Sequence, residues 1–209
     1  MILALLGMAS GPTDEELVRR FKRGDLSAFD EFVLRYQDRV YTFCLRWLKN
    51  PQAAEEVAQD TFIKMYRGLP RFRGESKLST WVFRVVLNSC KNERLRLRRR
   101  KTHQHEPLEG RRGLEDDVPI RQLTHPGAGT DHGAHRSEAE RILNLGLNQL
   151  EEDYASIIIL RDIQGMAYEE IAQILGLPKG TVKSRLHRAR AALALALKNV
   201  GMSKEDIFD

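Results

Sequence analysis

Apolar residues recur along most of this chain at steps of three and four, the spacing that gathers side chains on one face of a helix. Thr13 and Glu16 form a capping-box pattern ahead of Leu17, Val18 and Phe21, and Gly24 can close that first helix. Ser27 is expected to cap a second helix, whose stripe of Phe29, Phe32, Val33, Tyr36, Val40, Phe43 and Trp47 runs until Asn50-Pro51 stops it. The spacing predicts a third helix from about Gln52 to Leu69, with Val57, Phe62, Met65 and Leu69 inward and Pro70 at its end. RFRGESKLST, residues 71–80, lacks periodicity and reads as a loop, after which Ser79 or Thr80 starts a fourth helix, TWVFRVVLNSCKNERLRLRRRK. No alternating strand pattern occurs in this half.

Residues 102–136 change character, with three Pro, five Gly and five of the six His among scattered charges and no sustained apolar face. That composition predicts a flexible linker. Periodicity resumes after Ser137. Leu143, Leu147 and Leu150, then Ile157, Ile158, Leu160 and Ile163, mark two further helices before a basic segment. The expectation is an all-α chain of two small helical domains, residues 13–101 and 137–200, joined by the linker 102–136. Residues 1–12 and 201–209 are expected to be tails.

Charge sharpens this picture. Thirty-four Lys and Arg against twenty-nine Asp and Glu give a net charge of +5, but KNERLRLRRRK, residues 91–101, alone carries a local +6 from seven basic residues and one acidic one. Such a block seeks a polyanion. Cys44 and Cys90 both sit in apolar helical patterns, which argues for a reducing compartment and against a disulfide framework. MILALLG at the start has no basic residue before its short apolar run, so neither a secretory signal nor membrane insertion is expected. A tail or a start at Met8 fits better.

YEEIAQILGLPKGTVKSRLHRAR, residues 168–190, has helix-turn-helix spacing. Ile171, Ala172 and Leu175 face inward, Gly176 permits a left-handed turn, and Val182, Leu186 and Ala189 bury the next helix. Lys179, Lys183, Ser184, His187 and Arg188 then point outward from its first turns, where a recognition helix meets base edges. Arg185 and Arg190 suit phosphates. The competing interpretation is a solvated basic helix in an ordinary bundle.

The segments AYEEIAQILGLPKGTVKSRLHRARAAL and QDTFIKMYRGLPRFRGESKLSTWVFRVVLNSCKN resemble regions 4 and 2 of extracytoplasmic-function sigma factors, in particular the sigma-E-like branch of the sigma-70 family. They occur in the family's order and would span residues 13–200. The resemblance implies that Lys179, Thr181, Lys183, Ser184, Arg185, His187, Arg188 and Arg190 bind the minus-35 element. It further implies that the loop with Arg71, Phe72, Ser76, Lys77 and Thr80 shapes a pocket for a flipped minus-10 base, with Phe83, Asn88 and Asn92 lining or bracing it. Arg84, Lys91 and Arg94 would follow the backbone. Such a pocket needs aromatic faces, amides and cations together, and residues 71–101 supply all three. Asn92 stands where many members carry Asp. Asn88 and Asn92, four apart, also fit a plain polar stripe, and Trp81 among Val82, Val85 and Val86 is expected in the core.

By the same resemblance, Gln59, Asp60 and Phe62 dock the clamp helices of the RNA polymerase beta-prime subunit, and the second domain contacts the beta flap. Core packing is an equal alternative for Phe62. An anti-sigma factor is the implied further partner, the compartment is the cytoplasm, and no obligate homo-oligomer is expected, since no heptad seam is present. His103, His105 and Cys90, or His125, His132 and His135, match no closed zinc site, so no metal or other cofactor is expected. No nucleophile with a base and no Gly-rich phosphate loop emerges, so the chain is not expected to be an enzyme. The function implied is promoter recognition and melting as a dissociable polymerase subunit. The alternative is a freestanding helix-turn-helix regulator, which has no need of the loop and Asn-bearing helix at 71–92.

Overall fold

The computed structural model describes residues 11–102 and 138–199, and every regular element among them is helical. The tails and the linker, with the histidines of the metal interpretation, lie outside the described residues. The first half contains α1 (Asp14–Lys22), α2 (Ser27–Leu48), α3 (Pro51–Gly68) and α4 (Leu78–Thr102). The second contains α5 (Glu138–Gln149), α6 (Glu152–Ile158), α7 (Tyr168–Leu175) and α8 (Lys179–Asn199). No described helix is long and apolar enough to cross a membrane.

The helix boundaries follow local chemistry. The Thr13 hydroxyl accepts from the Glu16 amide while the Glu16 carboxylate accepts from the Thr13 amide, completing the capping box. Gly24, at φ +93°, ends the turn after α1. The expected Ser27 cap is corrected: Leu26 occupies the cap position of α2, and Ser27 instead donates through its amide and hydroxyl to Asp25 Oδ1. α2 ends at Lys49, which adopts φ +62°, and Asn50 then caps α3 by accepting the Ala53 amide at 2.9 Å, with Pro51 at the first helical position. α4 begins at Leu78, one residue before the expected start.

The first half has an aromatic core. Phe21, Phe29, Phe32, Tyr36, Phe62 and Tyr66 pack ring against ring at centroid separations of 5.0–6.2 Å, and Phe43 meets Phe83 at 5.8 Å. Cys44 and Cys90 are buried where α2 faces α4 as free thiols, with Cys90 donating to the Cys44 sulfur at 3.7 Å. The hydrogen bond to the Cys44 sulfur and burial push the Cys90 thiol up. The second half is aliphatic: Leu147, Ile157, Ile158, Leu160, Ile171, Ile174, Val182, Leu186 and Leu197 fill it. Gly146 lets α5 approach α8, since a Cβ there would lie 2.6 Å from a Leu197 methyl carbon.

The halves are packed together, which the expectation of two separate domains did not anticipate. Trp47 of α2 donates its indole N–H to Ser156 of α6 at 2.9 Å. A π-helical turn, Ile159–Ile163, follows α6 and brings Gln164 to Arg39, whose guanidinium donates to the Gln164 amide oxygen at 3.0 Å and to its carbonyl at 3.2 Å. α7 lies against α4.

Candidate nucleic-acid interface

In the first half of α8 the buried positions are Val182, Leu186 and Ala189, as the spacing requires, and Gly176 adopts φ +66° in the turn before it. Lys179, Lys183, Ser184, His187 and Arg188 are exposed on the opposite side, and no acidic residue occupies the first turn. Positions 179, 183 and 187 are four apart, as are 184 and 188, so they form adjacent rows on one face. Thr181 is half-buried, and its carbonyl accepts the Ser184 hydroxyl at 3.1 Å. The two arginines expected on phosphates are held within the chain instead. Arg185 pairs with Asp153 at 2.8 Å, and Arg190 Nε lies 3.1 Å from Asp162, whose hydrogen bonds raise the Arg190 pKa further. Lys179 pairs with Glu169, and that contact lowers the Glu169 pKa.

The second candidate surface runs along α4. Arg84, Asn88, Lys91 and Asn92 are exposed at positions four, seven and eight apart, which places them on one stripe, and the stripe continues to Leu95, 50% exposed. At its N-terminal end a cavity is lined by Arg71, Phe72, Arg73, Glu75, Ser76, Trp81, Arg84 and Gln173. Trp81 therefore belongs to the surface more than its Val-rich context suggested. Its ring is only half-buried, stands 5.6 Å from Phe72, and lies over Gly68, where an added Cβ would come within 3.0 Å. The signal available in the sequence was the Phe72/Trp81 pair flanking a Gly-containing loop.

Three expectations need correction. Of the lining or bracing role expected for Phe83, only bracing remains: it is fully buried, its ring against Phe43 and under the Arg39 guanidinium at 5.0 Å, so it does not line the cavity. Thr80 is also fully buried, because α7 covers it. Arg94, expected on the strand backbone, pairs with Glu152 at 3.1 Å and stacks 5.4 Å over the Trp47 ring.

On α3, Gln59 and Asp60 are exposed, whereas Phe62 is 5% exposed and packs edge-on against Phe32. Packing wins for Phe62 because the stripe that includes Val57 and Met65 faces α2. Its rim still floors a shallow groove shared with Val33, Gln37, Tyr41, Glu55, Ala58 and Gln59.

The family model for Sigma-70 region 2 matches residues 32–101, and that for Sigma-70 region 4 matches residues 141–193. The sigma-H factor of Pseudomonas aeruginosa is 36% identical over 191 residues, covering 91% of this chain and 97% of that protein. The chain belongs to the extracytoplasmic-function branch of the sigma-70 family. The sigma-E factor of Haemophilus influenzae is 36% identical over 88% of this sigma factor and 94% of its own length. Among solved structures, the sigma factor RpoE of Bartonella quintana, in complex with the anti-sigma factor NepR, matches with a TM-score of 0.60 at 26% identity, covering 81% of this chain and 96% of that one. CnrH, in complex with the cytosolic domain of CnrY, shares the fold at a TM-score of 0.61 and 22% identity, over 90% of this chain and 99% of that one. The two regions together make this chain an alternative sigma factor acting in transcription initiation, and the match across region 2 disfavours a freestanding regulator. Sigma factors are DNA-binding regulators of RNA polymerase.

Proposed function

We propose that this sigma factor divides promoter recognition between its two exposed basic surfaces. Region 4 reads the minus-35 duplex with Lys179, Lys183, Ser184, His187 and Arg188, and Thr181, Arg185 and Arg190 serve the adjoining phosphates once the acidic partners of both arginines yield. Region 2 takes an extruded minus-10 base into the cavity between Phe72 and Trp81. Asn88 and Asn92 contact base edges, while Arg71, Ser76, Lys77, Arg84 and Lys91, joined by Thr80 once α7 uncovers it, follow the strand. Gln59 and Asp60 dock the beta-prime clamp helices, and region 4 meets the beta flap. The functional domains are residues 13–101 and 137–200. The chain carries no catalysis of its own, works in the cytoplasm, and is held by an anti-sigma factor until it is needed.

The observation that carries the capture site is the meeting of two half-buried aromatic rings with a polar, cationic stripe on α4. Asn88→Ala tests it, because an extruded base without its edge contact loses much of what offsets unstacking. Polymerase binding and minus-35 contact are expected to survive, while permanganate reactivity of promoter thymines falls on duplex DNA and recovers in part on a template already mismatched across the minus-10 element. Opening of duplex DNA as readily as by the parent would make Asn88 a structural residue.

A further inference from the structure

The same residues that would grip DNA in region 2 are occupied by region 4. Glu170 Oε1 of α7 sits within 3.5 Å of three α4-side donors: Lys77 Nζ at 3.5 Å, Ser79 Oγ at 3.4 Å and Thr80 Oγ1 at 3.5 Å. Its other oxygen accepts the Ala167 amide at 2.9 Å at the start of α7, which fixes the rotamer that aims Oε1 at α4. The Glu170 side chain is 15% exposed and the Lys77 side chain 73%, so water screens the ion pair more than the contact with the buried Thr80 hydroxyl. One turn along, Arg84 donates to the Gln173 carbonyl at 3.2 Å, and Gln173 also closes one wall of the Phe72/Trp81 cavity. For an ammonium and two hydroxyls, a carboxylate oxygen and a phosphodiester oxygen are the same kind of acceptor. These donors cannot serve both.

We propose that Glu170 is a carboxylate latch which holds the free chain closed over its own strand-capture site, so that capture of a minus-10 strand requires α7 to leave α4. The inference rests on the assignment of Lys77, Thr80 and Arg84 to the strand, and it adds how that site is regulated. Glu170 competes with the DNA backbone for the same donors, and region 2 keeps the start of its strand-capture site engaged until polymerase, or another partner that separates the two regions, removes the competitor. The Trp47–Ser156 and Arg39–Gln164 contacts hold the same closed arrangement from the α2 side. Loss of the Glu170 charge therefore loosens the closure without abolishing it.

The test uses the full chain, free of DNA and polymerase, with dyes on cysteines introduced at the exposed positions Gln52 and Lys198. Native Cys44 and Cys90 are buried and stay unlabelled. Single-molecule energy transfer then counts closed and open molecules. Glu170→Gln keeps an acceptor for the Ala167 amide and removes the charge, and it is expected to raise the open-to-closed ratio about tenfold, the scale of a charge-assisted contact. Glu170→Lys is expected to open the chain further, and Lys77→Glu added to it should restore the closed population by exchanging the two charges. A parent chain that is already open, or a Glu170→Gln chain with the parent's distribution, overturns the latch. So does failure of the charge exchange to restore closure in a Glu170→Lys chain whose helicity is intact. With no nucleic acid present, such failures leave the strand-capture assignment standing, since Asn88→Ala tests that separately.

Discussion

α8 of region 4 and α4 of region 2 are both long basic helices, yet the chain presents them in opposite ways. The outward row of α8, from Lys179 to Arg188, meets solvent: of the nearby acidic residues, Asp153 and Asp162 engage Arg185 and Arg190 at its flank, and Glu169 pairs only with Lys179 at its start. The start of α4 is engaged by α7: Thr80 is buried, while Lys77 and Arg84, though exposed, are drawn to Glu170 and the Gln173 carbonyl. Farther along, Asn88, Lys91 and Asn92 emerge from under α7 and are exposed. The difference teaches that charge and spacing identify a nucleic-acid surface, while access to it depends on what the rest of the chain lays over it. A duplex-reading face can stand open at little risk. A face that holds unpaired bases contains half-buried rings, and covering them removes apolar surface from water.

The comparison is sharpened most strongly at Phe83, whose burial separates bracing from base contact. Phe83→Ala should cost about 3–5 kcal/mol of stability, measured by chemical denaturation, because it empties the space between Phe43 and Arg39. Phe83→Leu should recover most of that loss and still support open-complex formation. An unaltered denaturation midpoint in the Ala variant would return Phe83 to the list of base contacts.

A smaller effect divides the α8 face itself. Arg188→Ala should weaken minus-35 binding by about 1–3 kcal/mol and relax preference at one base pair, as loss of a bidentate base contact does. Arg190→Ala should lower affinity evenly across sequences and weaken its salt dependence, while freeing Asp162. Losses of equal size and equal sequence dependence, read from a panel of single-base variants of the minus-35 element, would break the distinction between the exposed row and its paired flank.

The smallest effect on stability is expected on α3. Gln59→Ala with Asp60→Ala replaces exposed polar groups and should shift unfolding by no more than about 0.5 kcal/mol. Co-migration with polymerase core on size exclusion should nonetheless fall. Unchanged core affinity in the stable double variant would remove both residues from the interface and leave the groove over Phe62, Val33 and Tyr41 as the surface to probe next.

The sequence by itself determined the helices and their inward faces, because amphipathic period and capping are local properties. The Thr13/Glu16 box and Gly176 act within a turn of their own positions and stand as read, whereas Pro51, read as a stop for the second helix, opens the third. Spacing pointed to the helix-turn-helix, and the resemblance of two segments to a known family pointed to regions 2 and 4. Where a residue belongs to two patterns at once, local reasoning ran out. Phe62 and Phe83 carried motif roles but lie in the core, and Trp81 sits among valines yet lines a cavity, since only the packing of α2 against α3 and α4 selects which edge of each ring faces water. The closure of region 4 over region 2 was decided by the tertiary structure alone. Glu170 and Lys77 are ninety-three residues apart in the chain, and nothing in the period of either helix encodes that their charges meet. That meeting arises because the π turn after α6 delivers Gln164 to Arg39, Ser156 satisfies the buried Trp47 indole, and together these contacts lay α7 along α4.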